Sequence, residues 1–154
     1  MKTDVTLKVP ARREKPMGIA EPLEVVMEFI KRINSGDVNA LSELMTEDHI
    51  FQDALGKRFL GRETMRQGWT AYFQTVTDYQ VHAEEFFQTD ERLAIFGTAS
   101  GKYVRNDDKK IGKFWDVPAA WRAVVRAGLI AEWRVYADNE PLRRLMSERA
   151  NPPQ

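Results

Sequence analysis

The hydrophobic pattern of this chain changes period once, and that change limits the folds open to it. Up to about residue 76 apolar side chains recur at helical spacing; beyond it they alternate. Val26, Phe29, Ile30 and Ile33 stand at i, i+3, i+4 and i+7, one stripe of a helix that begins after Pro22. Asn34-Ser35-Gly36 stops it, with Gly36 suited to the left-handed position beyond a helix end. Asp37 is placed to cap a short second helix carrying Leu41, Leu44 and Met45, closed by Thr46-Glu47-Asp48. His49 to Ala54 reads as a strand, with Ile50 and Gln52 on one face and Phe51 and Asp53 on the other. Gly56 and Gly61 bracket a turn-rich connection. A third helix runs from Glu63 to about Val76, striped by Met65, Trp69, Tyr72, Phe73 and Val76.

From there the period is two. Tyr79 to Phe87, Arg92 to Tyr103, Lys113 to Arg126 and Leu129 to Ala137 read as strands. Their links are hairpin-like: Thr89-Asp90-Glu91, Arg105 to Asp108, and Ala127-Gly128. Asn139 and Pro141 start a last helix with Leu142, Leu145 and Met146 inward. Helices segregated from an antiparallel meander mean α+β, not a doubly wound sheet. Residues 1–20, punctuated by Pro10, Pro16 and Gly18 and rich in Lys and Arg, are expected to form a flexible arm; 21–150 make one domain and 151–154 a tail.

Composition narrows the function classes. Lys plus Arg and Asp plus Glu both number 23, so whole-chain charge makes no case for nucleic acid or an anionic membrane. Cysteine is absent, which removes disulfides, thiolate metal sites and cysteine nucleophiles. The same zero fits a reducing, cytoplasmic compartment. No apolar run has membrane-spanning length, and the N-terminus lacks the apolar stretch of a secretory signal. No glycine-rich phosphate loop or nucleotide fingerprint occurs. Asn106-Asp107-Asp108 is read as a turn, and Asp116 as a strand-end or rim residue.

Long antiparallel strands twist and curl, and helices laid on the concave side leave a cone with an open mouth. The inward set is expected to hold Phe96, Thr98 and Ser100 from one strand and Trp115, Val117, Ala119 and Trp121 from the next. Trp133, Val135 and Ala137 join from the last strand. Arg122, Val124, Arg126, Arg134, Tyr136 and Asp138 face outward. Large rings mixed with small side chains describe either a closed core or an aromatic-lined cavity for an apolar ligand. Asp53 tips the balance to a cavity. It shares the inward face with Phe51, where burial would raise a carboxylate's pKa and make it a general base.

Phe29 to Asp37, Thr46 to Asp53 and Gly61-Arg62-Glu63 resemble the nuclear transport factor 2-like superfamily, and Gly128 to Asp138 is similar to its closing strand. Within it the chain is most similar to the SnoaL-like group, over roughly residues 22–148. The resemblance implies a cystatin-like cone, a curved antiparallel sheet wrapped around three helices. It further implies dimerisation through the sheet's outer face. The superfamily holds ketosteroid isomerases, epoxide hydrolases, scytalone dehydratases, polyketide cyclases and non-catalytic binders, so fold alone leaves activity open.

Carried over by position, the isomerase pattern places its proton-shuttling Asp at Asp53, its oxyanion-hole Tyr at Phe29 and its oxyanion-hole Asp near Trp121, whose indole N–H is a candidate substitute donor. The epoxide hydrolase relay falls on Thr98, Ser100 and Val135, with its Tyr and Asn at Phe51 and Asp53; only Trp133 is kept. The dehydratase histidines have His49 and His82 as their only candidates.

Two functions are therefore expected. One is a cofactor-free, metal-free enzyme in which Asp53 moves a proton on a hydrophobic carbonyl-, hydroxyl- or epoxide-bearing molecule. Trp121, Tyr72 or Ser100 would orient the substrate, and Phe29, Phe51, Trp69, Phe96 and Trp115 would line the cavity with the inward residues named above. The other is a binding or dimerisation module that holds a ligand without chemistry. Either would be a homodimer, given the Trp, Tyr and Arg residues along the last strands.

Overall fold

The structure is a computed structural model that describes residues 18, 20–104 and 112–147. Most of the N-terminal arm, the 105–108 hairpin with its Asn106-Asp107-Asp108 turn, and the tail lie outside the described residues.

Pro22 opens α1 (Pro22–Ser35), where its missing N–H costs nothing, and Glu21 and Glu24 form a capping box. The stripe behaves as its spacing predicts: Val26, Phe29, Ile30 and Ile33 are buried, joined by Val25. Gly36 ends the helix at φ 71°. Asp37 accepts the Ala40 N–H at 3.0 Å and opens α2 (Val38–Glu43).

Here the chain departs from expectation. β1 (Met45–Gln52) begins four residues before His49, so Met45 belongs to a strand and not to the second helix. The cause is tertiary: Met45 lies opposite Ile130 in the register, and the Ile130 N–H donates to the Leu44 carbonyl at 2.7 Å. The polar run Thr46-Glu47-Asp48 hides this strand in the sequence. Phe51 pairs with Phe59 of β2 (Arg58–Leu60), a short strand within the connection read as turns.

α3 (Arg62–Thr75) then passes directly into β3 (Val76–Thr89). β4 (Arg92–Tyr103), β5 (Lys113–Arg126) and β6 (Leu129–Ala137) complete the meander, and α4 (Glu140–Ser147) follows. In α4 Leu142 and Leu145 pack on the core, whereas Met146, expected inward, is exposed.

The six strands form one sheet in the order β2-β1-β6-β5-β4-β3. The fold is α+β and nuclear transport factor 2-like, with one correction: β1 runs parallel to β6, so the sheet is mixed rather than wholly antiparallel. α1 lies across β3 to β6, and α3 against β1 to β3.

The inner face of β5 and β6 is as the alternation predicts, with Trp115, Val117, Ala119, Trp121 and Trp133 buried. On β4 the parity is the reverse of the expected one. Ile95 lies opposite Trp121, Ala99 opposite Val117 and Gly101 opposite Trp115, so these residues face inward with their partners. Phe96, Thr98 and Ser100 consequently sit on the outer face. The run Leu93-Ala94-Ile95-Phe96 does not alternate, so only the pairing fixes its faces. Gly97 marks a tight approach: a Cβ there would lie 1.9 Å from the His82 carbonyl oxygen, beside the β3 bulge between Ala83 and Glu85.

Candidate functional site

Three elements converge at one end of the inner face and leave a cavity of about 330 Å³. α3 contributes Met65, Trp69 and Tyr72, spaced so that all three lie on one side of the helix. β1 and its turn contribute Phe51, Asp53 and Ala54. The sheet supplies Tyr79, Ala99, Trp115, Val135 and Ala137, and Phe59, Thr64, Gly68 and Asn139 complete the wall. Asp53 is the one charged residue among them.

The aromatic wall is a connected set of ring contacts. Phe51 meets Trp69 at 6.2 Å between centroids, Trp69 meets Tyr72 at 6.0 Å and 87°, and Tyr79 meets Trp115 at 6.1 Å. Gly101 leaves room for Val76 and Trp115, since a Cβ there would lie 2.7 Å from Val76 Cγ1 and 3.2 Å from Trp115 Cζ2. The indole N–H groups of Trp69 and Trp115 are sealed from solvent and have no partner among the described residues.

Asp53 caps a tight turn. Its Oδ1 accepts the N–H groups of Leu55 and Lys57, both at 2.9 Å, and its own N–H donates to the Lys57 carbonyl at 3.0 Å. The residue is half-buried, and neither Tyr72 nor Trp121 bonds to it. Two backbone donors thus hold one carboxylate oxygen; the other has no hydrogen bond among the described residues.

Of the residues expected at the site, the fold brings Asp53, Phe51, Trp69, Tyr72, Trp115 and Val135 together. Phe29, Val117, Ala119, Trp121 and Trp133 instead pack in the core away from this cavity, because α1 covers that part of the sheet. Phe29 and Trp121 flank Trp133, at 5.0 Å edge-on and 6.3 Å stacked respectively. The Trp121 N–H is sealed in the core and has no partner among the described residues. Phe96, Thr98 and Ser100 point away from the cavity. Phe96 is 46% exposed and borders a shallow outer groove with Pro118, Ala120 and Tyr136.

His49 is fully buried against Phe29, with Nδ1 2.8 Å from the Ile130 carbonyl, and burial pushes its pKa down. His82 is exposed on β3. The two do not form a cavity pair. Asp116 is exposed, and Asp138 accepts the Glu140 N–H at 2.9 Å to open α4.

Among the lining residues that sequence reasoning did not place at the site are Tyr79, Ala99, Phe59 and Asn139, with Ala54, Thr64, Met65 and Gly68. Tyr79 carried a signal, an aromatic residue at a helix-to-strand junction three residues beyond Val76. Ala99 follows from the corrected parity of β4. Nothing in the linear pattern points to Phe59 or Asn139.

A structure of a SnoaL-like polyketide cyclase candidate from Shewanella denitrificans superposes with a TM-score of 0.70 at 16% identity, covering 82% of this chain and 97% of that one. IdmH of Streptomyces antibioticus, also assigned as a polyketide cyclase, gives 0.69 at 19% identity, over 83% and 99%. A protein of ketosteroid isomerase-like fold from Catenulispora acidiphila, solved in complex with trimethylamine, gives 0.65 at 20% identity, over 76% and 86%. Among curated proteins none matches the sequence significantly. The profile of the SnoaL-like domain matches residues 26–133, more than half of the chain. The chain belongs to the SnoaL-like domain family.

Proposed function

We propose that the protein is a small cofactor-free enzyme in which Asp53 moves a proton on a hydrophobic carbonyl compound. One observation carries this reading: an aromatic-walled cavity whose single charged residue, among the described residues, is a carboxylate. The N–H groups of Leu55 and Lys57 fix the carboxylate in place, so its remaining oxygen is held ready to receive a proton. Isomerisation and aldol-type cyclisation both begin with that transfer. The polyketide cyclase assignments of the fold neighbours fit it. Of the three groups expected to orient the substrate, Tyr72 alone lines the cavity.

Turnover of a panel of enolisable ketones and lactones by the wild type and by Asp53→Asn tests the reading. Asn keeps an acceptor for the turn, so it separates chemistry from folding. A loss of about 10²-fold or more is expected, the range of a general base. Unchanged turnover removes Asp53 from the mechanism.

A second reading has its own support: the turn already accounts for one oxygen of Asp53. On this reading the cavity holds an apolar ligand without chemistry. Equal affinity in wild type and Asp53→Ala, with no turnover in either, would favour it.

We further propose that the chain forms a homodimer through the outer face of the sheet. Phe87 and Phe96 meet there edge to face at 5.9 Å, the Arg134 guanidinium covers the Tyr136 ring at 4.5 Å, and Phe114 is exposed. A monomer mass by light scattering at micromolar protein contradicts it.

A further inference from the structure

Tyr72 and Tyr79 meet edge to face, with 5.3 Å between ring centroids and 88° between planes. They reach the cavity from opposite sides of the α3–β3 junction. Tyr72 follows the helical stripe; Tyr79 is aimed by an irregularity. The register slips between Thr77 and Gln80, so Val76, Tyr79 and Val81 all turn inward although a regular strand would place Tyr79 on the other face from Val76. Asp78 takes the strain at φ 52°, a left-handed conformation few residues other than Gly, Asn or Asp adopt. Its carboxylate is held by Lys102 at 3.2 Å. Trp69 then packs on both tyrosines, at 6.0 and 6.2 Å.

Neither phenol makes a hydrogen bond with any described residue, and neither oxygen is among the sealed polar atoms, unlike the indole nitrogens of Trp69 and Trp115. Buried tyrosine hydroxyls normally find a partner. Burial pushes the pKa of both phenols upward, so both keep their protons and act as donors. Among the described residues the lining holds no Lys, Arg or His. An anion would meet Asp53 without a counter-charge. An organic cation would suit Asp53 and the ring faces but would leave both donors unanswered.

We infer that Tyr72 and Tyr79 form a paired phenol donor that binds one oxygen of a neutral apolar ketone or enone. This rests on the reading of Asp53 as the base and narrows its substrate class. α1 supplies no donor, because Phe29 is sealed in the core; the junction of α3 and β3 supplies two. The step balances without a co-reactant. Asp53 takes the proton from the carbon beside the carbonyl, and the C–H electron pair forms a new C=C bond. The carbonyl π pair moves onto oxygen, where the two O–H groups stabilise the enolate charge. Asp53 returns the proton to the same carbon or, in an enone, to the vinylogous one.

Prodan tests the pair. It is a neutral naphthyl ketone whose emission moves to longer wavelength when its carbonyl accepts hydrogen bonds. Bound to the wild type, it is expected to emit at longer wavelength than when bound to Tyr72→Phe/Tyr79→Phe, with each single variant in between. Tyr→Phe keeps the ring contacts and removes only the donors; should the double variant not fold, the single variants carry the comparison. The double variant is expected to slow proton exchange beside a bound ketone by about 10²-fold or more. Asp53→Asn should leave the emission unchanged while lowering exchange. Identical emission from all tyrosine variants overturns the pair, and so does absence of prodan binding by the wild type. Tyrosine-dependent emission with exchange unaffected by Asp53→Asn upholds the donors and removes the base.

Discussion

Asn34 closes on Val81 from both sides of its peptide: the side-chain oxygen accepts the Val81 N–H at 2.7 Å, and the side-chain amide donates to the Val81 carbonyl at 3.0 Å. Gln80 adds a bond to the Asn34 carbonyl at 3.1 Å. β3 is an edge strand, so one side chain at the end of α1 stands in for the neighbouring strand it lacks. The same contact fixes α1 over the sheet and thereby sets where helical cover stops and the cavity begins.

Asn34→Ala leaves both Val81 groups without that partner. A loss of about 1–3 kcal/mol is expected, the range for partly buried polar groups left unpaired. Urea unfolding measures it; an unmoved midpoint would mean that water replaces the clamp at no cost.

Gly97→Ala meets the His82 carbonyl, and main chain cannot swing aside as a side-chain tip does. Separating β3 from β4 at the bulge should cost at least the roughly 1–3 kcal/mol typical of overpacking. Thermal unfolding reads this out. A melting temperature equal to the wild type's would show that the bulge relaxes freely.

His49 gives stability a pH dependence whose sign is set by burial. Its folded pKa is depressed below the ordinary 6.5, so the unfolded chain binds the extra proton first as pH falls. The contribution is complete above pH 6.5 and is lost as pH drops from there toward the folded value. Asp48 and Glu132, which favour the charged ring, soften the loss without reversing it. The slope reaches at most about 1.4 kcal/mol per pH unit for one proton. His49→Leu should be less stable overall yet lack this slope between pH 6.5 and 5.5. An identical slope in both would assign it to other groups.

The sequence shows some of this directly. The α1 and α3 stripes are legible because each helix buries one face only. β5 and β6 are legible because the inward Trp115, Trp121 and Trp133 alternate with Asp116, Arg122, Glu132 and Arg134 on the outer face. β4 is harder: Leu93 to Phe96 is apolar at every position, so alternation is blurred in the middle of the strand, and it is Arg92, Ser100 and Lys102 that mark the outer face. Cavity and core share the inner face for the same kind of reason. Trp115 and Trp121 are six residues apart with the same parity, and only the position of α1 makes one a cavity wall and the other core. Tyr79 lies beyond periodic reasoning because a bulge reverses its face, and bulges leave no repeat in sequence.

The most direct test of Asp53 as a base is hydrogen exchange at the carbon beside the carbonyl of a bound apolar ketone, followed by proton NMR in heavy water. The wild type should exchange that proton about 10²-fold or more faster than Asp53→Asn at equal ketone affinity. Equal exchange by both proteins, with the ketone bound equally well, would contradict proton transfer by Asp53 and leave a binding fold.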